Sequence, residues 1–388
     1  MAGRPGCQRP RRSRRRGAGA AGAQPVTALH PQPPLIPGRV LITGGAGFIG
    51  TNLAARLLAE GRQVVVYDNL SRPGVERNID WLRTEFGERL VLVEGDTRDP
   101  EQLAQAVAGS SEVFHFAAQV AVTTSLVDPV EDFEVNLRGT LNLLEAIRAQ
   151  PHPPGLVFTS TNKVYGALDD IHLEQAGSRY RPADALLHAR GIGESRPLAF
   201  HSPYGCSKGG ADQYILDYTR SYGIPAVVLR MSCIYGPHQC GNEDQGWVAH
   251  FLIRAMRGEP ITLYGDGRQV RDILYVDDLL DAMQLCQQRM DVLRGHAFNM
   301  GGGPPHTTSL LELVERIGHL EARAPEVGFS DWRVGDQRWY VSDTRGFEAA
   351  TGWRARVDVG EGVRRLHDWL AADRRQRTAR APNGVCVA

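Results

Sequence analysis

The sequence predicts an α/β fold, a doubly wound parallel sheet followed by a smaller C-terminal domain, and three observations support this prediction. From Arg39 onward, short continuous apolar runs alternate with amphipathic runs of helical spacing. Continuous runs of this kind are typical of parallel strands covered on both faces by crossover helices. A glycine-rich turn joins the first apolar run to the first amphipathic run, and after Pro237 the alternation gives way to mixed loops and helices.

The expected elements follow in chain order. Strands are predicted at RVLIT, QVVVYD, RLVLVEGD, EVFHFAA, residues 156–160 and AVVLR (226–230), with a first helix over residues 48–60. The apolar runs have the length of buried strands, and the amphipathic stretches between them can cross back over the sheet as helices. Residues 39–237 are therefore expected to form one domain, with a later segment around residues 270–285 returning to it. Residues 238–370 are expected to form mainly a second domain.

The two ends of the chain differ from this pattern. Residues 1–38 contain seven arginines and no acidic residue and lack apolar periodicity, which is typical of a disordered basic tail. Residues 371–388 are similarly polar and are expected to fray. Without the seven arginines of the tail, 37 basic residues face 44 acidic residues. The body of the protein is therefore mildly acidic.

Composition excludes several classes of function. A mildly acidic body lacks the clustered positive charge that binds phosphate backbones, so no nucleic-acid partner is expected. No window approaches the roughly 18 to 20 uninterrupted apolar residues of a membrane span, so no membrane partner is expected. The six cysteines follow no CxxC or Cys/His metal spacing, which predicts free thiols in a reducing cytoplasm and no metal site.

The glycine-rich turn TGGAGFIG (43–50) lies where the first strand meets the first helix. Gly44 permits a tight turn, Gly47 lets the backbone approach a pyrophosphate, and Gly50 lets the helix pack closely on the sheet. The positive end of the helix dipole then faces the phosphates. Glycines at this spacing also occur in ordinary loops, and the strand-to-helix position favours the dinucleotide interpretation.

Two aspartates follow the next two strands. Asp68 comes 24 residues after Gly44, where an acidic residue accepts hydrogen bonds from both ribose hydroxyls and repels a 2′-phosphate. This favours NAD over NADP, and the alternative is a turn aspartate. Asp96 follows the third strand and is expected to reach an adenine edge.

A tyrosine and a lysine share one face of a predicted helix in His201–Lys208. Ser202 is a plausible N-cap, and Tyr204 and Lys208 are four residues apart. A phenol has a pKa near 10, so a tyrosine that acts as a base near pH 7 needs neighbouring positive charge. The chain has only two lysines, Lys163 and Lys208, against 42 arginines. These two positions are therefore expected to require an ammonium group.

Several further motifs occur in a fixed order: VVYDNL, FHFAAQ, VNLRGTLNLLEA, SPYGCSK, IYGP and VRDILYVDDL. Together with the glycine turn, over about residues 39–370, the sequence resembles the extended short-chain dehydrogenase/reductase family of nucleotide-sugar epimerases and dehydratases. The resemblance implies a Rossmann-type domain that holds NAD and a C-terminal domain that binds a nucleoside-diphosphate sugar. It also implies a homodimer or homotetramer formed by a helix pair.

The resemblance carries roles over position by position. Thr161 is implied to hydrogen-bond the reacting hydroxyl, Tyr204 to be the base, and Lys208 to hold the nicotinamide ribose and lower the tyrosine pKa. The implied cofactor-binding residues are Gly44, Gly47, Phe48, Ile49, Gly50, Asp68, Asn69, Asp96, Thr97, Ala117, Gln119, Tyr204 and Lys208. The implied substrate-binding residues are Asn136, Asn162, Lys163, Cys233, Gln245, Arg271 and Arg333.

The motif STNKVYG (160–166) bears on the reaction. In the 4,6-dehydratases of this family an aspartate and a glutamate occupy the positions of Asn162 and Lys163. An amide cannot donate a proton as a carboxylic acid does, and a protonated lysine cannot abstract one. Dehydration is therefore not expected. Cys233 also departs from the asparagine that many family members have.

The same motif, with FHSPYGCSKGGADQY, RMSCIYGP and EDQGWVAHFLIRA, resembles the branch that inverts C2 of a CDP-linked deoxyhexose. The implied reaction begins when Tyr204 deprotonates a sugar hydroxyl. NAD then takes the hydride from C2, and the hydride returns to the other face of the keto sugar. The alternatives are a 4-epimerase or 4,6-dehydratase-type enzyme of deoxysugar or natural-product biosynthesis, and a non-catalytic NAD-sensing protein. The complete set of Thr161, Tyr204 and Lys208 argues against a sensor.

Four of the expected substrate residues have an alternative interpretation. Lys163 would stabilise an oxyanion or bind a hydroxyl, or else form a salt bridge that orders its loop. Arg271 and Arg333 would bind the diphosphate through a guanidinium fork, or else form surface ion pairs. Gln245 is expected to line the sugar pocket. Asn136 would orient a water or Lys208, or else cap a helix.

Overall fold

The computed structural model describes residues 3, 38–333 and 335–380 of the chain. The expected basic tail lies outside the described residues apart from Gly3 and Gly38, and so does the end of the expected C-terminal tail, residues 381–388. Within the described ranges no helix is both long and apolar enough to cross a membrane.

The strands, in chain order, are β1 Arg39–Thr43, β2 Gln63–Asp68, β3 Leu90–Glu94, β4 Ser110–His115, β5 Gly155–Thr161, β6 Leu173–Ala176, β7 Arg179–Pro182, β8 Ala226–Met231, β9 Cys233–Tyr235, β10 Ile261–Tyr264, β11 Val270–Tyr275, β12 Ala297–Met300, β13 Thr307–Ser309, β14 Val327–Ser330 and β15 Trp339–Tyr340. Seven of them form a central sheet in the order β12-β8-β5-β4-β1-β2-β3. Every neighbouring pair in this sheet is parallel.

The helices are α1 Phe48–Ala59, α2 Val75–Phe86, α3 Pro100–Val107, α4 Val122–Val127, α5 Pro129–Phe133, α6 Gly139–Arg148, α7 Ala185–Arg190, α8 Ser202–Tyr222, α9 Trp247–Arg257, α10 Val276–Gln288, α11 Met290–Leu293, α12 Leu310–Leu320, α13 Arg345–Thr351 and α14 Val359–Arg380. A π-helical turn, Glu134–Arg138, joins α5 to α6.

Two apolar cores cover the two faces of the central sheet. Alternate residues of β1 point to opposite faces, so Val40 and Ile42 lie in one core with α1 and α10, and Leu41 lies in the other with α3, α6 and α8. This alternation explains why RVLIT reads as one unbroken apolar run, since both faces need apolar side chains. The predicted doubly wound parallel sheet is confirmed.

Three smaller sheets lie outside the central sheet. Strand β11 pairs with β13, β15 and β9, strand β10 pairs with β14, and β6 pairs with β7. In the first of these sheets Ile273 of β11 lies opposite Cys233 of β9, and Arg271 lies opposite Tyr340 of β15. Strand β11 therefore brings together residues that the chain separates by more than a hundred positions.

Two features of the C-terminal part of the chain were not expected. The segment around residues 270–285 packs on the central sheet through α10, but the sheet also has a seventh strand, β12, further along the chain. AFNM is short and follows no long apolar run, so its sequence gave little signal. Helix α14 continues to Arg380, past residue 371 where fraying was expected. Arg374 fastens it by donating to Met256 O at 2.9 Å.

Candidate active site

The site lies at the carboxyl edge of the central sheet. Strands β1, β2, β4 and β5 end there with Thr43, Asp68, His115 and Thr161. In open parallel sheets this edge is where ligands bind, next to the point where the strand order reverses. The order of the sheet reverses between β1 and β4, so the geometry places a ligand crevice over these strand ends.

The glycine turn after β1 has no room for larger residues. Gly44 has a φ of 67°, and a Cβ atom there would lie 2.5 Å from the backbone nitrogen of Ala117. A Cβ on Gly50 would lie 2.5 Å from Gly45 Cα, because α1 packs directly on the turn. No side chain of the described residues caps α1 at Gly47. The first N–H groups of α1, which include those of Phe48 and Ile49, are therefore available to an anion.

Asp68 joins the end of β2 to this turn. Its Oδ2 accepts the N–H of Ala46 at 3.0 Å, and its Oδ1 accepts the N–H of Leu70 at 2.9 Å. Burial raises the pKa of Asp68, and the two backbone hydrogen bonds oppose that rise. Each carboxylate oxygen can accept one more hydrogen bond, which fits the two ribose hydroxyls that the sequence predicts for this position.

The residues expected at the adenine are already paired with one another. The Arg98 guanidinium pairs with Asp96 at 2.8 Å and lowers the pKa of that carboxyl to about 2. Asn69 Nδ2 donates to the same carboxylate at 2.9 Å. Thr97 is buried, and its hydroxyl packs against Gly139 of α6. The Thr97 hydroxyl thus faces a helix, and contacts of Asp96, Asn69 and Thr97 with the cofactor stay predictions.

Asn136 lies inside the protein beside the site. It is 1% exposed, and its Oδ1 accepts the N–H of Gln119 at 2.9 Å. Its Nδ2 lies 3.1 Å from each of Gln119 O, Asp132 Oδ1 and Ser207 Oγ. Asn136 thus holds the loop after Ala117 against the helix that carries Tyr204, and its contact with substrate stays a prediction.

Thr161 and Tyr204 meet at the strand edge. Thr161 Oγ1 accepts the N–H of Lys163 at 3.2 Å. Burial raises the pKa of Tyr204 to about 12, the neighbouring Thr161 side chain opposes this rise, and Asp132 adds to it. The protein alone therefore holds Tyr204 as a neutral phenol, and the positive charge that would make it a base must arrive with the ligand.

Lys208 lies one turn further along α8. It is 3% exposed, and its Nζ lies 4.1 Å from the centroid of the Phe158 ring. Burial lowers the pKa of Lys208 to about 7, and Asp212 and Asp132 oppose that fall. Asp212, four residues after Lys208, accepts hydrogen bonds from Arg230 Nε at 2.8 Å and from Arg230 Nη2 at 3.0 Å.

The second half of STNKVYG is bound to residues 335–337. Lys163 Nζ donates to Gly335 O at 3.1 Å and lies 3.8 Å from Asp336 Oδ1. Asn162 Nδ2 donates to Gln337 Oε1 at 3.3 Å. The ion pair that the sequence offered as an alternative for Lys163 is therefore present. A contact of Lys163 or Asn162 with a sugar stays a prediction.

Arg271 shares the same carboxylate. Its Nη2 donates to Asp336 Oδ1 at 2.6 Å, and its Nη1 donates to Val270 O at 2.8 Å. Cys233 lies beside it on β9, and the Trp247 indole N–H donates to Cys233 Sγ at 3.3 Å. The structure thus brings Lys163 and Arg271 together at Asp336, with Cys233 close to both cations.

Arg333 contacts the loop before α9, and Gln245 lies in the same loop. Arg333 donates to Glu243 O at 2.8 Å, lies 3.4 Å from Asp244 Oδ1 and stacks 3.8 Å from the centroid of Tyr264. Gln245 Oε1 is buried, with no hydrogen-bond partner among the described residues. A buried acceptor of this kind is rare in a native structure, and it is available to a hydroxyl of a ligand.

Sequence reasoning missed several residues that support the site. His115 lies between Thr43 and Thr140, at 2.6 and 3.0 Å. Thr140 gives its proton to Asn136 O at 2.6 Å, so it accepts from His115 Nε2, and His115 Nδ1 accepts from Thr43. Burial, aided by Lys208, lowers the pKa of His115 to about 3. A polar residue inside the apolar run EVFHFAA was the signal available.

Sequence reasoning also missed four other residues: Asp132, Ser207, Asp336 and Gln337. Asp132 is fully buried and accepts a short hydrogen bond from Ser207, which precedes Lys208 in the chain.

The described part of the chain has no group of three or more His, Cys, Asp or Glu side chains arranged to hold a metal ion.

The chain is similar in sequence to known proteins over most of its length. The model of the NAD dependent epimerase/dehydratase family matches residues 40–301. CDP-paratose 2-epimerase of Salmonella typhi is 40% identical over 344 residues, covering 86% of this chain and 99% of that protein. dTDP-glucose 4,6-dehydratase of an Actinoplanes species is 32% identical over 346 residues, covering 87% and 98%.

A solved structure of a similar protein shares this fold. UDP-glucose 4-epimerase of Thermus thermophilus, in complex with NAD, is similar with a TM-score of 0.71 and 36% identity, covering 86% of this chain and 99% of that one. More than half of this chain is matched by the family model, and the similarity to the named relatives runs over nearly their whole length. The chain belongs to the NAD-dependent epimerase/dehydratase family.

Proposed function

We propose that this chain is an NAD-dependent epimerase that inverts C2 of a CDP-linked deoxyhexose. One observation carries the proposal: the neighbouring side chains of Thr161 and Tyr204 lie at the sheet edge, with Asn162 and Lys163 where dehydration would need an acid and a base. The 40% identity to a protein named CDP-paratose 2-epimerase supports the choice of nucleotide and carbon.

The residues present fit NAD. Gly44 lets the turn close on Ala117 and Gly50 lets α1 pack on the turn, so the uncapped start of α1 can present its N–H donors to the pyrophosphate. Asp68 keeps one acceptor position on each oxygen for the ribose, and its negative charge disfavours a 2′-phosphate. When bound, NAD would accept the hydride from C2 and later return it.

Three side chains would move and stabilise the proton. Tyr204 takes the proton of the sugar hydroxyl, and Thr161 hydrogen-bonds the same oxygen as its negative charge develops. Lys208, buried on the same helix face, holds the nicotinamide ribose. The positive charge that arrives with the cofactor would lower the pKa of Tyr204 and favour its phenolate form.

At the other end, Arg271 and Arg333 would bind the diphosphate. Arg271 uses two of its five N–H donors on Asp336 and Val270, so donors remain for a phosphate oxygen. Gln245 Oε1 would accept from a sugar hydroxyl, since it is buried without a partner of its own in the described ranges.

The deciding experiment uses CDP-linked deoxyhexoses deuterated at C2, beside dTDP-, UDP- and GDP-linked controls. The expected product is inverted at C2 and keeps its deuterium, because the hydride leaves and returns within one active site. Loss of the label to solvent would mean that a carbanion forms, and inversion at C4 alone would replace the proposal with the alternative below.

A 4-epimerase is the second candidate. The solved UDP-glucose 4-epimerase of Thermus thermophilus is 36% identical, and the same pair Thr161 and Tyr204 could act on a hydroxyl at C4. The nucleotide panel separates the two, since a 4-epimerase would act on a UDP-linked hexose. A cytoplasmic location and a homodimer or homotetramer stay predictions.

A further inference from the structure

Lys163 and Arg271 converge on one oxygen of Asp336. Arg271 Nη2 lies 2.6 Å from Asp336 Oδ1, and Lys163 Nζ lies 3.8 Å from the same oxygen. The side chain of Arg271 is 8% exposed, and those of Lys163 and Asp336 are 22% exposed. Two cations and one anion thus share a pocket with little access to water, where each charge depends strongly on its neighbours.

The backbone around Asp336 is fixed to both sides of the pocket. Gln337 is fully buried, accepts from Asn162 Nδ2 at 3.3 Å and donates to Gly166 O at 2.7 Å. Two residues later the chain joins β11 as strand β15. These contacts fix the position of the Asp336 carboxylate relative to both STNKVYG and β11.

The groups that face the Lys163 ammonium come from three segments. They are Asp336, Arg271 on β11 and Cys233 on β9. Burial lowers the pKa of Lys163; Asp336 opposes that fall, Arg271 reinforces it, and Cys233 opposes it weakly. Asp336 is the carboxylate of this set, so without it Lys163 would face a like charge in a buried place.

We propose that Asp336 is a positioning residue that keeps Lys163 a charged donor for the sugar while Arg271 remains free to bind the diphosphate. The inference rests on the proposed function and deepens it, since it assigns how the sugar and diphosphate ends of one site are kept charged together. Asp336 itself touches neither the sugar nor the phosphate in this account.

The test uses the fact that the chain has only two lysines. Protein labelled with 13C at lysine Cε gives two signals, and Lys163→Met identifies which one is Lys163. In Asp336→Asn the midpoint of Lys163 should fall by about one pH unit or more, which is tenfold in proton affinity, while Lys208 stays where it is. Asp170→Asn, which removes a surface partner of Arg196, is the matched control and should move neither signal.

Turnover gives the second readout. The kcat/KM of Asp336→Asn should fall as pH rises, because Lys163 loses its proton, and should recover at lower pH. In the Lys163→Met background, Asp336→Asn should add no pH dependence. Binding of CDP without a sugar should change only a few-fold, since Arg271 keeps its charge.

An unchanged Lys163 midpoint in Asp336→Asn overturns the proposal, and so does full activity of Lys163→Met at every pH. If Asp336→Asn does not fold, Arg271→Met serves instead: it removes the like charge and should raise the Lys163 midpoint, and no rise overturns the proposal. The titration needs no substrate. A wild type that turns over no sugar nucleotide would therefore refute the proposed function without affecting the titration result.

Discussion

The cofactor half and the substrate half of this site are built differently. The cofactor half consists of glycines, helix N–H groups and one carboxylate, all held by neighbours close in the sheet. The substrate half consists of cations that the chain's own acids already pair: Arg271 and Lys163 with Asp336, and Arg333 with Asp244. One half therefore depends on shape and the other on charge balance, and substitutions should affect them in different ways.

The largest effect is expected at the junction of the two halves. Tyr204→Phe removes the group that takes the proton and leaves the volume nearly unchanged. Turnover should fall about 10³-fold or more, while NAD binding, followed by fluorescence or calorimetry, should change little. A variant that keeps near-normal turnover would show that Tyr204 is not the base.

Gly50→Ala should disturb the packing of the cofactor half without changing its charge. Its Cβ would lie 2.5 Å from Gly45 Cα and 2.6 Å from Gly44 O, both backbone atoms, so α1 or the turn must shift. The expected result is loss of stability by about 1–3 kcal/mol and weakened NAD binding, measured by thermal unfolding with and without NAD. Gly328→Ala, which meets no atom within 4 Å, is the matched control. Equal behaviour of the two variants would contradict the packing argument.

Arg271→Lys keeps the positive charge of the substrate half but changes the geometry of its hydrogen-bond donors. An ammonium cannot serve Asp336, Val270 O and a phosphate in the fixed directions of a guanidinium. Affinity for CDP should fall roughly tenfold, measured by calorimetry. The more exposed Arg333 should lose only two- to threefold as Arg333→Lys, and the control Arg196→Lys should lose nothing. A larger loss at Arg333 would reverse the assignment of the main phosphate ligand.

The smallest expected effect is a pH dependence of stability at Lys208. Burial lowers the pKa of Lys208 to about 7, below the unfolded value of about 10.4. The unfolded chain thus binds the extra proton between these values, so the cost of burying Lys208 is full below pH 7 and disappears toward pH 10. The free energy of unfolding of the wild type, relative to Lys208→Met, should rise over that range. A flat or falling difference in urea unfolding would contradict the lowered pKa.

What the sequence could predict follows the same division. Strands β1 and β2, helix α1, the glycine turn and the place of Asp68 were predictable because each depends on local pattern and on chemistry within one strand-helix-strand unit. Helix α8 likewise placed Tyr204 and Lys208 on one face. These signals are short-range, and the family resemblance added positions that no local pattern singles out, such as Thr161 and Gln245.

The remainder depended on contacts that no local pattern records. Asp336 matters because residues 335–340 return between STNKVYG and β11, which only the folded chain reveals. Asn136 read as a polar helix residue near the site, but the π-helical turn directs its amide inward to Gln119 and Ser207. Strand β12 was missed because four residues carry too little periodicity, and its place is set by pairing with β8.

The two lysines have one more consequence, for proteolysis. A protease that cleaves only after lysine finds two cleavage sites in this chain, Lys163 and Lys208, and both lie in the folded active site. Cleavage therefore requires the site itself to open, whereas a protease that also accepts arginine can cut at many exposed positions. The rate of lysine-specific cleavage would thus measure the free energy of local opening, and its slowing by NAD or by CDP would show separately how far each ligand closes its own half.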